Sequence, residues 1–323
     1  MMSFGSHLSV SKVAMATLVL SHESYLNHDT GAYHPESADR MRSVMRALGQ
    51  PGLSGIQRED APRATAEEIA RAHPGDYLED LVAAIPSQGL RQIDGDTIVS
   101  PGSADAMVRA AGATVRAVNA VAAGEVDNAF CAVRPPGHHA ESQQAMGFCL
   151  VNNAAVGAFH ARAAHGHRRV AVIDFDVHHG NGTQEIFWND ADAFYASTHQ
   201  FPFYPGTGSR RERGAHANVV NVPLAAGDRG DVFRGALRDE ILPALVIFKP
   251  DFILISAGFD AHKDDPLGQL GLTETDFAWA TGAIMDVARK VCGGRVVSVL
   301  EGGYNLDALA DCVTAHVETL KDH

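Results

Sequence analysis

Asp174, Asp176 and His178 alternate along Asp174-Phe-Asp-Val-His178, directly after the apolar run Val170-Ala-Val-Ile173. In a continuing strand, residues two apart face the same side, so Asp176 and His178 can converge on one ion. Asp260 follows another apolar run, Phe252-Ile-Leu-Ile-Ser-Ala257, and can supply a third ligand. One imidazole and two carboxylates with an open position suit a catalytic divalent cation, Zn2+ first by ligand type. The same D-x-D-x-H pattern can instead make salt bridges in a loop. The turn Gly180-Asn-Gly182 and the availability of Asp260 favour the metal. Two carboxylates formally cancel a 2+ charge, so such an ion acidifies water less than one held by three neutral histidines. A separate general base is then needed.

His138 and His139 follow Pro135-Pro136-Gly137. Adjacent side chains diverge, which disfavours joint chelation and suits proton carriers beside a metal-activated water. Each imidazole needs a partner on its other nitrogen, and Asp174 and Asn181 are the candidates. Asp174 favours an imidazolium and neutral Asn181 does not, so the two bases should differ in strength. An isolated His-His pair is more often a surface feature. Its place behind two prolines at a strand end argues for the site. Glu301-Gly-Gly-Tyr304 follows the run Val296-Val-Ser-Val-Leu300. Its glycines permit a tight backbone, and a tyrosine held there can donate its hydroxyl to an oxyanion. Tyr304 alone would equally serve as core filler.

These residues need a frame. Short apolar runs predict strands at Thr17–Leu20, Asn128–Val133, Val170–Val177, Ala193–Ser197, Val219–Val222, Phe252–Ala257 and Val296–Leu300. Most are continuous rather than alternating, as in strands covered on both faces. Helical spacing marks Ser37–Leu48, Ala66–Arg71, Ser103–Ala123, Asn153–His165, Asp231–Phe248, Glu274–Lys290 and Leu306–Thr319. The alternation predicts one α/β domain with a mainly parallel sheet. Four of the strands deliver acid, base or phenol at their carboxyl ends, where parallel sheets place their ligand crevice.

The chain of 323 residues is read as an N-terminal extension over 1–16 and a domain over 17–323. It carries 26 basic and 39 acidic residues, a net charge of −13. That field disfavours nucleic acid and anionic membranes as partners. The four cysteines form no C-x-x-C pair, in keeping with small buried residues in a reducing, cytoplasmic setting. No apolar run reaches the ~20 residues of a membrane helix. The segment Val13–Leu20 reads as the first buried strand rather than a signal peptide. Arg210-Arg-Glu-Arg213, His262 and Lys263 read as solvated loops.

Arg134-Pro-Pro-Gly-His-His-Ala140, Gly147-Phe-Cys-Leu-Val-Asn-Asn153, Asp174-Phe-Asp-Val-His-His-Gly-Asn-Gly-Thr-Gln184, Ser256-Ala-Gly-Phe-Asp260, Asp265-Pro-Leu-Gly268 and Glu301-Gly-Gly-Tyr304 occur in that order. Together they resemble the zinc-dependent histone deacetylase and acetylpolyamine amidohydrolase superfamily, nearest to bacterial class II-like members. His34-Pro-Glu36 and Tyr204-Pro-Gly-Thr-Gly208 also fit, and the resemblance covers about residues 17–315.

The resemblance implies an arginase/deacetylase fold with a central, mostly parallel, eight-stranded sheet. It implies one Zn2+ on Asp176, His178 and Asp260, a proton-transfer pair in His138 and His139, and a carbonyl-polarising Tyr304. Gly147 and Phe148 should form one wall of a narrow acyl channel, Tyr204 or Phe203 the other, and Leu267 the rim. One K+ is implied on the Asp174 and Ser197 side chains with carbonyls of Asp176, His178 and Thr198, and a second near Phe187 and Asp190. Asn181 stands where class I members carry an aspartate. Leu267 and the short segment Leu90–Ser103 offer no acidic gatekeeper of the polyamine type, although Asp94, Asp96 or Thr97 can still meet an amine or a peptide backbone.

The activity so implied is removal of acetyl or other acyl groups from acyl-lysine side chains or similar small acylamides, with a homo-oligomer possible. The alternative on the same site is an acetylpolyamine or xenobiotic amide hydrolase. A non-catalytic acyl-lysine binder would need none of His138, His139 and Tyr304. A binuclear manganese ureohydrolase would need further aspartate ligands.

Overall fold

A computed structural model describes residues 16–323. The expected extension over 1–16 therefore lies almost wholly outside the described residues. Among the described residues ten strands occur: β1 (Thr17–Ser21), β2 (Gln57–Asp60), β3 (Arg91–Gln92), β4 (Ile98–Val99), β5 (Asn128–Cys131), β6 (Val170–Asp174), β7 (Ala193–Gln200), β8 (Val219–Leu224), β9 (Phe252–Ala257) and β10 (Val296–Leu300). The helices are α1 (Ala38–Leu48), α2 (Ala66–Ala70), α3 (Gly75–Ala84), α4 (Ser103–Ala122), α5 (Asn153–His165), α6 (Asn181–Phe187), α7 (Gly230–Ala236), α8 (Leu242–Phe248), α9 (Glu274–Cys292) and α10 (Leu306–Asp322).

Eight strands form one sheet in the order β2-β1-β5-β10-β9-β6-β7-β8. Every neighbouring pair in it is parallel. Strands β1, β5, β6, β9 and β10 are buried along their whole length, because helices cover both faces. Helices α4 and α5 pack together over the central strands, while α1, α9 and α10 pack as a second group. The sheet order gives the site its frame. The four strands that carry chemical residues beyond their carboxyl ends, β5, β10, β9 and β6, are consecutive neighbours at its centre.

The departures from the sequence reading have local causes. Strand β2 is Gln57-Arg-Glu-Asp60, polar and mostly exposed. An edge strand that pairs only with β1 needs no apolar run, and charge there protects the edge. The stretch expected as one helix over Asp231–Phe248 is split by a π-helical turn, Leu237–Ile241, ahead of Pro243. A proline ring donates no N–H and crowds the carbonyl four residues back, and a widened turn accommodates it. Strand β6 stops at Asp174 rather than Val177. His262 is buried, not solvated. Its Nδ1 accepts from the Asp264 amide at 3.2 Å, while Lys263 beside it is exposed.

Four buried histidines outside the cation cluster, His28, His73, His199 and His316, are held neutral. Burial pulls the first three down to about 4 and His316 to about 3, from an ordinary 6.5. Each ring has a neutral partner; His316, for example, sits between Thr281 Oγ1 (2.6 Å) and Ser298 Oγ (2.8 Å). Their folded pKa values lie below the unfolded ones, so the unfolded chain takes up protons first as the pH falls. The stability they confer is whole above about pH 6.5 and is lost progressively down through about pH 4. At pH 5 each costs about 2 kcal/mol, and four such costs approach the roughly 5–15 kcal/mol that holds a domain together. The protein is expected to unfold cooperatively within that window, as followed by circular dichroism. A native spectrum retained at pH 4 would contradict this.

Candidate active site

Loops beyond β5, β6, β9 and β10 bring His138, His139, Asp176, His178, Asp260 and Tyr304 together at the carboxyl ends of the central strands. Asp176 and His178 lie past the end of β6, so strand alternation does not make them converge. The chain bends there because carboxylates bind backbone amides. Asp176 N donates to Asp174 Oδ1 (3.1 Å), Val177 N to Asp260 Oδ1 (2.8 Å) and His178 N to Asp176 Oδ1 (2.9 Å).

His178 Nδ1 lies 3.1 Å from both Asp176 Oδ1 and Asp260 Oδ2. One ligand atom from each of the three buried residues falls within 4.8 Å of the others, an arrangement able to hold a metal ion. The electrostatics fit a divalent cation. Burial, then the charge of Asp176, pushes the Asp260 carboxyl up to about 7. Burial pushes His178 down, but hydrogen bonds to Asp176 and Asp260 and their charges outweigh it and lift the imidazole to about 10. Two crowded carboxylates that draw positive charge toward the His178 ring form, with its nitrogen, a donor set that a 2+ ion relieves. Space is tight around them. Gly302 N donates to Asp176 Oδ2 at 2.8 Å, and a Cβ on Gly302 would stand 2.1 Å from Asp260 Oδ2.

The paired histidines take the two expected partners. His138 Nδ1 is 3.0 Å from Asp174 Oδ2, and His139 Nδ1 is 2.8 Å from Asn181 Oδ1. Burial disfavours charge on both. At His138 the carboxylates of Asp176, Asp174 and Glu301 overcome it and raise the imidazole to about 10. At His139 the like charges of His138 and His178 add to burial, and the ring is held well below its ordinary value. One carboxylate-paired imidazolium thus stands beside one neutral base, with ring centroids 4.0 Å apart.

A cavity of about 280 Å³ opens above them. Gly147, Phe148, Phe203, Tyr204 and Leu267 all line it, with His139, His178 and Tyr304 at its inner end. Both candidates for the second wall contribute: Phe203 stacks on His178 at 5.4 Å, and Tyr204 meets His139 edge-on at 5.1 Å. Phe148 has φ +68 and Gly147 φ +58. Left-handed backbone at a non-glycine costs roughly 1–2 kcal/mol. The hairpin β3–β4 supports it: Asp96 Oδ1 accepts from Gly147 N and Thr97 Oγ1 from Phe148 N, each at 3.1 Å. Position 147 also requires glycine for room, since a Cβ there would stand 2.5 Å from the His139 ring.

Three supporting residues went unassigned in the sequence. Glu301 is fully buried and accepts from Gly137 N (2.6 Å), His138 N (3.1 Å) and Ser256 Oγ (3.1 Å), clamping the turn that aims the histidines. Arg40 lies 4.9 Å over the Tyr304 ring and donates to the carbonyls of Gly303 (2.6 Å) and Glu301 (2.5 Å). Asp265 Oδ2 accepts from Tyr304 N at 2.6 Å and its Oδ1 from Leu267 N at 2.9 Å, tying the tyrosine to the rim. The motifs contained Glu301 and Asp265, but only folding reveals what their carboxylates hold. Arg40 gave no signal, being an ordinary cation in an amphipathic helix pattern.

Asp174 and Ser197 are register partners on β6 and β7, and the neighbouring Thr198 hydroxyl is buried without a hydrogen-bond partner. This is a polar setting that suits a monovalent cation.

The histone deacetylase domain model matches residues 34–320. The chain belongs to the histone deacetylase family. A histone deacetylase-like amidohydrolase of Pseudomonas aeruginosa is 39% identical over 94% of this chain and 81% of its own length. A probable deacetylase of Archaeoglobus fulgidus is 38% identical over 91% of this chain and 82% of its own. The solved HD domain of HDA15 superposes with a TM-score of 0.91 at 36% identity, covering 96% of this chain and 89% of that one. The family member described here is accordingly a hydrolytic enzyme of the deacetylase/amidohydrolase type, built on the expected single α/β sheet. Among its described residues no helix is long and apolar enough to cross a membrane.

Proposed function

We propose that this deacetylase cleaves N-acyl-lysine side chains or similar small linear acylamides, with Zn2+ as the catalytic ion. The observation that carries the reading is the narrow cavity of about 280 Å³, walled by Phe148, Phe203 and Tyr204 and ending on His139, His178 and Tyr304. A thin acyl chain fits between aromatic walls, and bulk does not.

Asp176, His178 and Asp260 hold the divalent cation. When bound, it supplies Lewis acidity toward the scissile carbonyl and makes water a better nucleophile. His139, neutral and facing the cavity, takes a proton from the attacking water and returns it to the leaving amine. His138, an imidazolium paired with Asp174, stabilises developing negative charge. The Tyr304 hydroxyl, which burial keeps protonated, donates to the carbonyl oxygen as that oxygen gains charge. Asn181 orients His139 without charging it. The balance is amide plus water to amine plus carboxylate. One K+ on Asp174 and Ser197, with carbonyls of Asp176, His178 and Thr198, belongs to the same proposal. So does a cytoplasmic location, with which four buried free thiols accord.

Asp96 also lines the cavity and supports a second reading, hydrolysis of an acetylated polyamine whose distal amine pairs with that carboxylate. Comparing kcat/KM for acetyl-lysine peptides, acetylputrescine and small anilides separates the two. The peptides are expected to be the best substrates. A clear preference for acetylputrescine would move the assignment to the alternative, and no turnover of any of them by metal-loaded protein would defeat both.

A further inference from the structure

Below the carboxyl end of α6 the chain makes two further turns before β7 begins, and three backbone carbonyls converge there. Asn218, which is buried, points its amide into them. Its Nδ2 lies 2.9 Å from Phe187 O, 3.2 Å from Asp190 O and 2.8 Å from Ala193 O. A side-chain amide carries two hydrogens, one fewer than the acceptors it meets. Phe187 O and Asp190 O also accept from Asp190 N and Ala193 N, each at 3.1 Å, so the amide meets their remaining lone pairs. Converging carbonyl oxygens are the ligand set from which potassium sites are built. It also lies at a helix carboxyl end, where the backbone dipole favours positive charge.

The side chain is braced from behind. Asn218 Oδ1 accepts from His216 N at 3.3 Å, and Asn218 O accepts from Tyr195 N at 3.0 Å. Gly214, at φ +70, leaves no slack, because a Cβ there would stand 2.4 Å from Asn218 Oδ1. The nearby Asp190 carboxylate is already paired with the Arg162 guanidinium. The residues present therefore do not fit the second K+ expected near Phe187 and Asp190.

We propose that Asn218 stands in for that ion: its amide supplies, from within the chain, the hydrogen-bond donors that knit the α6–β7 turn together. The native protein then needs no monovalent cation at this place, and removing the amide creates a site for one. The ring is separate from the catalytic residues, so the proposal is independent of the reaction assigned above.

The test compares bound rubidium, as a potassium analogue, per chain in the native protein and in Asn218→Ala by equilibrium dialysis. The variant is expected to hold one more Rb+ than the native chain. Equal numbers, or fewer in the variant, would overturn the proposal. Should Asn218→Ala fail to fold in N-methylglucamine chloride, refolding is repeated in KCl at the same ionic strength. Recovery in K+ alone supports the inference, and failure in both salts overturns it.

Discussion

His139→Ala is expected to lower kcat by about 10²–10⁴-fold, the range for loss of a positioned acid–base group, with KM little changed. The reasoning rests on two unequal imidazoles. Asp174 and Glu301 favour charge on His138, whereas His139 faces neutral Asn181 and the like charge of His138. Only a base that is free of its proton can accept one from water. His139 lines the cavity at its inner end, beside His178 and Tyr304. Steady-state kinetics, with circular dichroism and metal content as controls, decide the matter. Turnover preserved in a folded, metal-loaded variant would remove His139 from the mechanism.

Tyr304→Phe should cost kcat about 10²–10³-fold, typical of losing one oxyanion donor. This substitution deletes the hydroxyl and keeps the ring. The ring's contacts, the Arg40 guanidinium 4.9 Å above it and Phe148 edge-on at 5.9 Å, survive the change. A loss confined to kcat would therefore report the hydroxyl's work in the transition state rather than disturbed packing. A variant as active as the native enzyme would show that the carbonyl oxygen is stabilised elsewhere.

The sequence exposed much of this because burial on both faces leaves a plain signature. Runs such as Val170-Ala-Val-Ile173 and Phe252-Ile-Leu-Ile-Ser-Ala257 need helices on both sides, and the polar residues that end them stand out. That the four chemical strands are neighbours was not legible, since strand order depends on crossover paths rather than on local pattern. The meeting of Asp176 and His178 was anticipated for the wrong local reason. Carboxylate-to-amide bonds in a bend beyond β6, not strand pleating, turn both toward Asp260. Strand β2 escaped notice because an exposed edge carries no hydrophobic period. His262 was misread because a histidine between glycine-rich and acidic segments looks solvated, whereas the loop folds it inward. Arg40 and Glu301 act through backbone carbonyls and amides of distant loops, and no residue spacing encodes such contacts.

The central claim is that Asp176, His178 and Asp260 hold one catalytic divalent cation. Its most direct test is turnover by exhaustively demetallated enzyme, titrated with Zn2+ on an acetyl-lysine peptide. The account predicts loss of activity on chelation and recovery that saturates at one ion per chain. Undiminished turnover by metal-free protein would contradict it.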